Sequence, residues 1–164
     1  MGLRGYGIPD HHHAMLTDLI LAILHHLAIV TLIVLLAIEF ALLRHGLSTA
    51  DLRRLTNIDA AYGVAAATVI AVGVCRVIWG AKGPDFYLSN PWFWAKMASF
   101  GAIGLLSVPP TMKLLKWRRA LRQDALFLPP PADVARLRRF LHAEVALLAL
   151  VVAFAAAMAR YGAF

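Results

Sequence analysis

The sequence has 164 residues, of which 61% are hydrophobic and only 15% are charged, and its mean hydropathy is +0.71. Soluble domains are about 45–50% apolar and about 25% charged. A body this small cannot bury such an excess of apolar side chains, because small domains leave much of their surface facing solvent. The composition therefore excludes a soluble globular domain and predicts an integral membrane protein.

Four stretches are long and apolar enough to cross a bilayer. A helix rises about 1.5 Å per residue, so about 20 apolar residues span about 30 Å of hydrocarbon. Residues 1–14 are interpreted as a polar N-terminal extension, and residues 15–164 as one all-α domain, a four-transmembrane-helix bundle. Two adjacent prolines, Pro109 and Pro110, are expected to kink or end the third helix. The predicted spans, in chain order, are residues 16–43, 58–79, 92–115 and 140–160.

Lys and Arg are concentrated in two of the three links between these spans. The first link carries Arg44, Arg53 and Arg54, and the third link with its flanks carries eight more basic residues, which makes 11 of 16. The middle link has only Lys82, which Asp85 balances. Since Lys and Arg favour the cytoplasmic side, both termini are predicted to lie outside, in the periplasm, and the basic loops in the cytoplasm. The formal charge of +7 is therefore attributed to topology and headgroup contact rather than to nucleic-acid binding.

Polar side chains in the outer half of the predicted spans form a first layer. His25 and His26 lie early in the first span, Arg76 ends the second span, and Lys96 opens the third. Imidazole and charged groups in lipid are costly, so a functional role is the default interpretation. At about 100° per residue, the two histidines point about 100° apart. They are therefore not expected to bind one iron atom together.

A second polar layer is predicted near the cytoplasmic side, from Glu39, Asp59, His142 and Glu144. Helical counting puts Glu39 about 40° from His25, on the same face of the first helix. His142 and Glu144 diverge by about 200°, so at most one of them points into the bundle. This layer is interpreted as a proton-handling or structural layer.

A histidine at bundle depth is the usual axial ligand of haem iron in membrane cytochromes. His25 is the preferred ligand and His26 the alternate, and Lys96 is the candidate on the opposite side of the haem if it is deprotonated. His142 belongs to the other leaflet, so a site with two histidine ligands is disfavoured. The residues assigned to the haem propionates are Arg76, Lys82 and Tyr87.

The predicted function is therefore binding of haem b in the outer leaflet. A redox role follows, either electron transfer or a haem-dependent oxidoreductase reaction, with a quinone or another redox protein as partner. The sequence alone identifies neither a substrate nor the electron partner.

Three alternatives stay open. A small transporter or channel would use Glu39, Asp59 and Glu144 as proton or cation sites. Such a chain lacks the inverted repeats common in secondary transporters, so it would act as a homo-oligomer. A non-haem metal site in the inner layer is the second alternative, although the Glu-x-x-His spacing of di-iron bundles is absent. A purely structural role is the third.

Several motifs together resemble one known family. They are HHLA in the first span, LTNIDAAYG, RVIWGAKG, FYLSNPWFWAK, GLLSVPPT and LHAE. Over residues 15–162 the chain is similar to a family of small bacterial inner-membrane proteins, the domain of unknown function number 2214. The resemblance implies a multi-pass protein of the bacterial inner membrane and brings no activity.

The layout also resembles, more loosely, the small haem-containing membrane protoporphyrinogen oxidase of bacteria. That family has an essential histidine on its first helix and a lysine near the start of a later one, on a WLHAKL-like segment. The resemblance implies the histidine role for His25 or His26 and the lysine role for Lys96 in FWAK. Two features depart from that pattern: GPDFYLSNPW precedes the lysine, and there are two candidate histidines instead of one.

Overall fold

The computed structural model describes residues 10–43 and 47–161. Residues 1–9 of the predicted extension lie outside the described part, as do the side chains of residues 10–14 and all of Arg44. The described residues contain helices and no β-strand. The helices are α1 (Asp10–Leu42), α2 (Thr49–Trp79), α3 (Gly83–Leu88), α4 (Pro91–Gln123) and α5 (Pro131–Tyr161).

Within the described residues, α1, α2, α4 and α5 are each long and apolar enough to cross a membrane. The predicted all-α fold with four transmembrane helices is therefore confirmed. The short α3 lies in the middle link, between the second and third spans.

The long helices extend beyond the predicted spans where the arginines lie. α2 begins at Thr49 instead of residue 58, α4 continues to Gln123 instead of residue 115, and α5 begins at Pro131 instead of residue 140. Hydropathy identifies only the part of a helix that lies within the hydrocarbon core of the bilayer. Arginine is a good helix former whose charged tip alone needs water. Most of the basic residues assigned to loops therefore lie on helix ends.

The start of α2 is fixed by a capping box. The Ser48 hydroxyl oxygen accepts a hydrogen bond of 3.1 Å from the backbone N–H of Asp51, and the Asp51 carboxylate accepts one of 3.2 Å from the Ser48 N–H. At the start of α4, the Asn90 side-chain oxygen accepts a hydrogen bond of 2.9 Å from the Trp92 N–H. Both caps satisfy N–H groups that have no partner within the helix.

Pro109 and Pro110 were expected either to kink the third transmembrane helix or to end it, and they do not end it. α4 runs through both residues for more than three further turns, to Gln123. Proline removes a backbone donor, but a transmembrane helix tolerates this loss where neighbouring groups satisfy the freed carbonyls. Pro110 is buried in the bundle, so it packs as an apolar core residue.

The four long helices form a ring in the order α1, α2, α4, α5. The hairpins α1–α2 and α4–α5 have the most extensive interfaces, α2 and α4 join them on one side, and α1 and α5 meet more sparsely on the other. α3 packs against α2 and α4 at one end of the bundle. We call this the α3 end. The opposite end, where α2 and α5 begin, is the arginine end.

The packed core occupies the half of the bundle at the arginine end. At the α3 end, no side chain is buried in residues 15–31 of α1, 70–79 of α2 or 149–161 of α5. Tyr87, Asn90 and Phe93 are buried around α3 and the start of α4, but α1, α2 and α5 are more loosely packed in that half than at the arginine end. The side chains with the least exposed surface in the core include Leu32, Leu36, Leu52, Leu55, Leu114, Trp117, Leu137 and Leu141.

Candidate functional site

α1 and α2 run antiparallel in a constant register that sets which polar side chains face α2. Near the α3 end, the Asp18 carboxylate accepts a hydrogen bond of 3.1 Å from the Ala81 N–H, just beyond α2. One heptad further along α1, His25 packs on Gly73, where an added Cβ would lie 3.2 Å from the His25 Cε1 atom. A glycine at this point lets the imidazole approach the α2 backbone closely.

Two heptads beyond His25, the same face of α1 presents Glu39 to Asp59 of α2, and the two carboxyl groups interact electrostatically. Fourteen residues of helix correspond to a rise of about 21 Å. The two polar layers of the bundle are therefore separated by about two thirds of the thickness of a bilayer core.

His25, Arg76 and Lys96 come from three different helices and form what we call the His25 cluster. The three groups interact electrostatically with one another, and each is half-buried. The His25 Nδ1 and Arg76 Nε atoms are buried, and neither has a hydrogen-bond partner among the described residues. The cluster thus combines an imidazole with two cationic groups in the loosely packed half of the bundle.

His26 does not face this cluster. Its ring is exposed, and its Nδ1–H donates a hydrogen bond of 2.6 Å to the carbonyl oxygen of Ala22, one turn back on α1. The two histidine rings lie edge to face, with centroids 6.5 Å apart. Of the two candidate ligands, only His25 points toward the bundle interior.

The other residues assigned to the propionates lie around α3. Lys82 is exposed, and its Nζ atom lies 4.3 Å from the centroid of the Phe86 ring. Tyr87 is buried and packs against the rings of Phe86 and Phe93. The Lys96 ammonium lies 5.4 Å from the centroid of the same Phe93 ring. Tyr87 is thus one aromatic ring away from the His25 cluster, whereas Lys82 lies on the outer surface.

Glu39, Asp59 and Glu144, from α1, α2 and α5, form what we call the carboxyl layer. Their side chains are only 2%, 7% and 2% exposed, and Glu39 interacts electrostatically with both of the others. Among the described residues the single ion pair joins Lys113 to Asp133, at 2.7 Å. The three buried carboxyl groups are therefore not paired with cations in the described part of the chain.

Two neutral side chains support the carboxyl layer. The Thr111 hydroxyl donates a hydrogen bond of 2.8 Å to Asp59, and the Tyr62 hydroxyl donates one of 3.2 Å to Glu144. Glu39 has no side-chain hydrogen bond to any described residue.

His142 does not join the carboxyl layer. It is exposed, its Nδ1–H donates a hydrogen bond of 2.7 Å to the Arg138 carbonyl oxygen, and its ring lies edge-on to Phe40, with centroids 4.7 Å apart. Of His142 and Glu144, only Glu144 points into the bundle. Nowhere in residues 10–43 and 47–161 do three His, Cys, Asp or Glu side chains form a group that could hold a metal ion. The alternative of a non-haem metal site in this layer therefore has no support there.

A family model described as a predicted membrane protein (DUF2214) matches residues 17–162. The chain belongs to this family. The match confirms the expected family and includes both polar layers of this DUF2214 protein. A search of curated proteins and a search of solved structures each gave no match.

Sequence reasoning missed Tyr62 and Thr111 of this DUF2214 protein. Tyr62 follows Asp59 by three residues and so lies on the same helical face, which is a local signal for its place in the layer. Its partner Glu144 lies on another helix, 82 residues away in the chain. Thr111 follows the two prolines directly, and no local pattern connects it with Asp59.

Proposed function

We propose that this protein binds haem b in the half of the bundle at the α3 end, where His25 would hold the iron, and that it has a redox role in the membrane. The observation that carries the proposal is the His25 imidazole, which faces the bundle interior with a buried nitrogen that has no hydrogen-bond partner among the described residues. Such a group is costly to bury. The Nδ1 atom lies on the α2 side of the ring, against Gly73, so Nε2 would be the nitrogen that coordinates the iron, a common role for an imidazole.

The packing around His25 supports an apolar cofactor at this level. α1, α2 and α5 have no buried side chains there, so a bound cofactor would cover apolar side chains that the described residues leave exposed. Membrane bundles build cofactor sites from side chains on facing helices. The loosely packed half offers apolar walls and one imidazole from α1.

The two cations of the His25 cluster fit the carboxylates of such a cofactor. Guanidinium and ammonium groups form strong hydrogen bonds with carboxylates, and Arg76 has a buried donor without a partner among the described residues. Arg76 and Lys96 would therefore hold the propionates, with Tyr87 packing behind them. Alternatively, a deprotonated Lys96 would itself be a ligand of the iron. These two roles of the lysine are mutually exclusive.

Bound haem b supplies one-electron chemistry at its iron, and a quinone or a redox protein would exchange electrons with it. The chain itself would orient the iron through His25 and screen it from water with the four helices. Glu39, Asp59 and Glu144, about 21 Å along the bundle, would hold protons on the other side of the membrane.

The proposed setting is the bacterial inner membrane, with both termini in the periplasm. The arginines of the links lie at one end of the bundle, and the positive-inside rule assigns that end to the cytoplasm. Cysteine accessibility at the two ends of the bundle, measured with an impermeant maleimide in whole cells, tests this orientation. In a Cys75→Ala background, which removes the native thiol, labelling of Ser89→Cys and protection of Ala125→Cys is the expected result.

Visible spectra of the purified protein test the haem. The protein is expressed with a haem precursor and purified in mild detergent, and its oxidised and dithionite-reduced spectra are recorded. We expect a Soret band, with α and β bands that sharpen on reduction. His25→Ala should abolish these bands, whereas His26→Ala, the matched control one residue away, should retain them. A folded, colourless wild-type protein would refute the proposal, as would loss of haem only in the His26 variant.

A second candidate function rests on the carboxyl layer. Three buried carboxyl groups from three helices, without a paired cation in the described residues, are what a proton or cation site in a homo-oligomeric transporter or channel requires. Proton flux into liposomes loaded with a pH-sensitive dye tests it. Glu39→Gln should abolish flux, and Asp85→Asn, at an exposed position on α3, should not. Equal flux in all variants and in empty liposomes would eliminate this candidate.

A further inference from the structure

A cavity of about 480 Å³ opens at the arginine end, between the start of α2 and the end of α4. Arg53 and Asn57 line it from α2, and Arg118 and Arg122 line it from α4. It lies at the opposite end of the bundle from the His25 cluster, so it is independent of the proposed haem site.

The charged side chains that line this cavity are all arginines. Arg53, Arg118 and Arg122 are exposed, and none has an ion-pair partner among the described residues. The carboxylate of Asp124, close to Arg122 in the sequence, accepts a hydrogen bond from the Leu126 N–H in its own turn. Three guanidinium groups around one space repel one another. An anion bound between them would offset this repulsion, because all three guanidinium groups attract it.

The arginines next to these in the sequence provide a comparison. Arg54 and Arg119 are exposed on the same two helices, but they do not line the cavity. Arg54 interacts electrostatically with Asp51 in the first turn of α2. The fold therefore selects which arginines line the cavity. The number of arginines in the sequence does not by itself bring them together.

The lining chemistry favours a phosphate group. A guanidinium group presents a planar fork of donors that matches the oxygens of a phosphate, and several arginines can share them. The cavity is much larger than one phosphate, and its floor includes the buried Thr56 and Leu121. It therefore has room for a group attached to the phosphate. Basic pockets between transmembrane helices near the membrane surface have the form that lipid phosphates require.

We propose that this arginine cavity is a binding site for a phosphate-bearing anion, held by Arg53, Arg118 and Arg122, with the Asn57 amide at its rim. The phosphate belongs either to the headgroup of an anionic phospholipid or to a soluble phosphate compound. The two sources share the same contacts and differ in whether the acyl chains are needed.

The test uses the full-length protein, purified in detergent and depleted of lipid. Native mass spectrometry measures binding of dioleoyl-phosphatidylglycerol, with dioleoyl-phosphatidylcholine as the zwitterionic comparison. Thermal unfolding in sodium phosphate, compared with sodium chloride at equal ionic strength, measures binding of inorganic phosphate. The cavity variant carries R53Q, R118Q and R122Q. The matched control carries R54Q, R119Q and R136Q, so it loses the same charge from the same end of the bundle.

We expect at least one of the two probes to bind the cavity variant about tenfold more weakly than wild type, with the control variant within about twofold. Selective loss of phosphatidylglycerol binding identifies a lipid headgroup as the source. Selective loss of stabilisation by phosphate identifies a soluble compound. Equal losses in both variants overturn the proposal, as does a wild type that responds to neither probe. If the triple variant does not fold, R118Q and R119Q singly give the same comparison.

Discussion

The two halves of the bundle handle polar groups in lipid differently. At the arginine end, Glu39, Asp59 and Glu144 lie within a dense apolar core, and two of them accept hydrogen bonds from neutral hydroxyl groups. At the α3 end, His25, Arg76 and Lys96 lie half-buried between loosely packed helices, with polar atoms that have no partner among the described residues. Hydrogen bonds within the protein thus satisfy Asp59 and Glu144 in the first half, whereas Glu39 and the buried Arg138 Nε atom have no such bond to a described residue.

This difference predicts that stability depends more on the arginine-end half than on the α3-end half. Close packing and internal hydrogen bonds in the arginine-end half specify the arrangement of the helices. The α3-end half has fewer such contacts, so changes there should alter binding more than folding.

Truncation of one leucine in each half should cost different amounts of free energy. Leu36 is 1% exposed and Leu24 is 47% exposed, on the same helix. We expect Leu36→Ala to lower the free energy of unfolding by about 2–5 kcal/mol because it leaves a cavity in a packed core. Leu24→Ala should cost less than about 1 kcal/mol. Unfolding in mixed micelles at increasing fractions of dodecyl sulfate measures both, and equal losses would contradict the proposed division.

The hydrogen bond between Tyr62 and Glu144 should contribute measurably to stability. Tyr62→Phe removes the hydroxyl group that donates to Glu144 and keeps the ring in place. We expect a loss of about 1–2 kcal/mol, since a buried carboxyl group loses its donor. Tyr161→Phe, at an exposed position near the end of α5, is the matched control and should change the same unfolding curve by less than about 0.5 kcal/mol. If the two variants unfold alike, the carboxyl layer does not depend on this bond.

A methyl group at Gly73 should affect the proposed haem site more than the fold. The Cβ of Gly73→Ala would lie 3.2 Å from the His25 Cε1 atom, so the ring must shift by a few tenths of an ångström. We expect a change of less than about 1 kcal/mol in stability, together with a shifted Soret band. Gly101→Ala, where an added Cβ meets nothing within 4 Å, should leave the spectrum unchanged. An identical spectrum in both variants would mean that the environment of the iron does not include the contact between His25 and Gly73.

The class of fold could be predicted from the sequence because hydropathy acts over a whole span and needs no knowledge of partners. The apolar runs identified four transmembrane helices, and the family motifs were recognisable over nearly the full chain. The helix ends were harder to predict. Three helices extend past the predicted spans to include Arg53, Arg118 and Arg136. In these polar segments, composition does not distinguish a helix from a loop.

The levels of the polar residues along each helix also follow from the sequence, because helical rise and rotation are fixed by the backbone. Counting along α1 puts His25 and Glu39 on one face, and the structure turns both of them toward α2. The sequence does not show, however, which of two neighbouring polar side chains points inward. The choice of His25 over His26, and of Glu144 over His142, depends on the rotation of each helix against its neighbours.

The sequence by itself therefore determined what one helix fixes within the bilayer: its apolar span, the levels of its polar residues and the faces on which they lie. Only the tertiary structure decided which groups meet across helices. The approach of Tyr62 to Glu144, the contact of Thr111 with Asp59 and the convergence of three arginines on one cavity all join residues far apart in the chain. Such contacts arise from the order and register of the helices around the bundle. Packing sets that order, and no local pattern of residues encodes it.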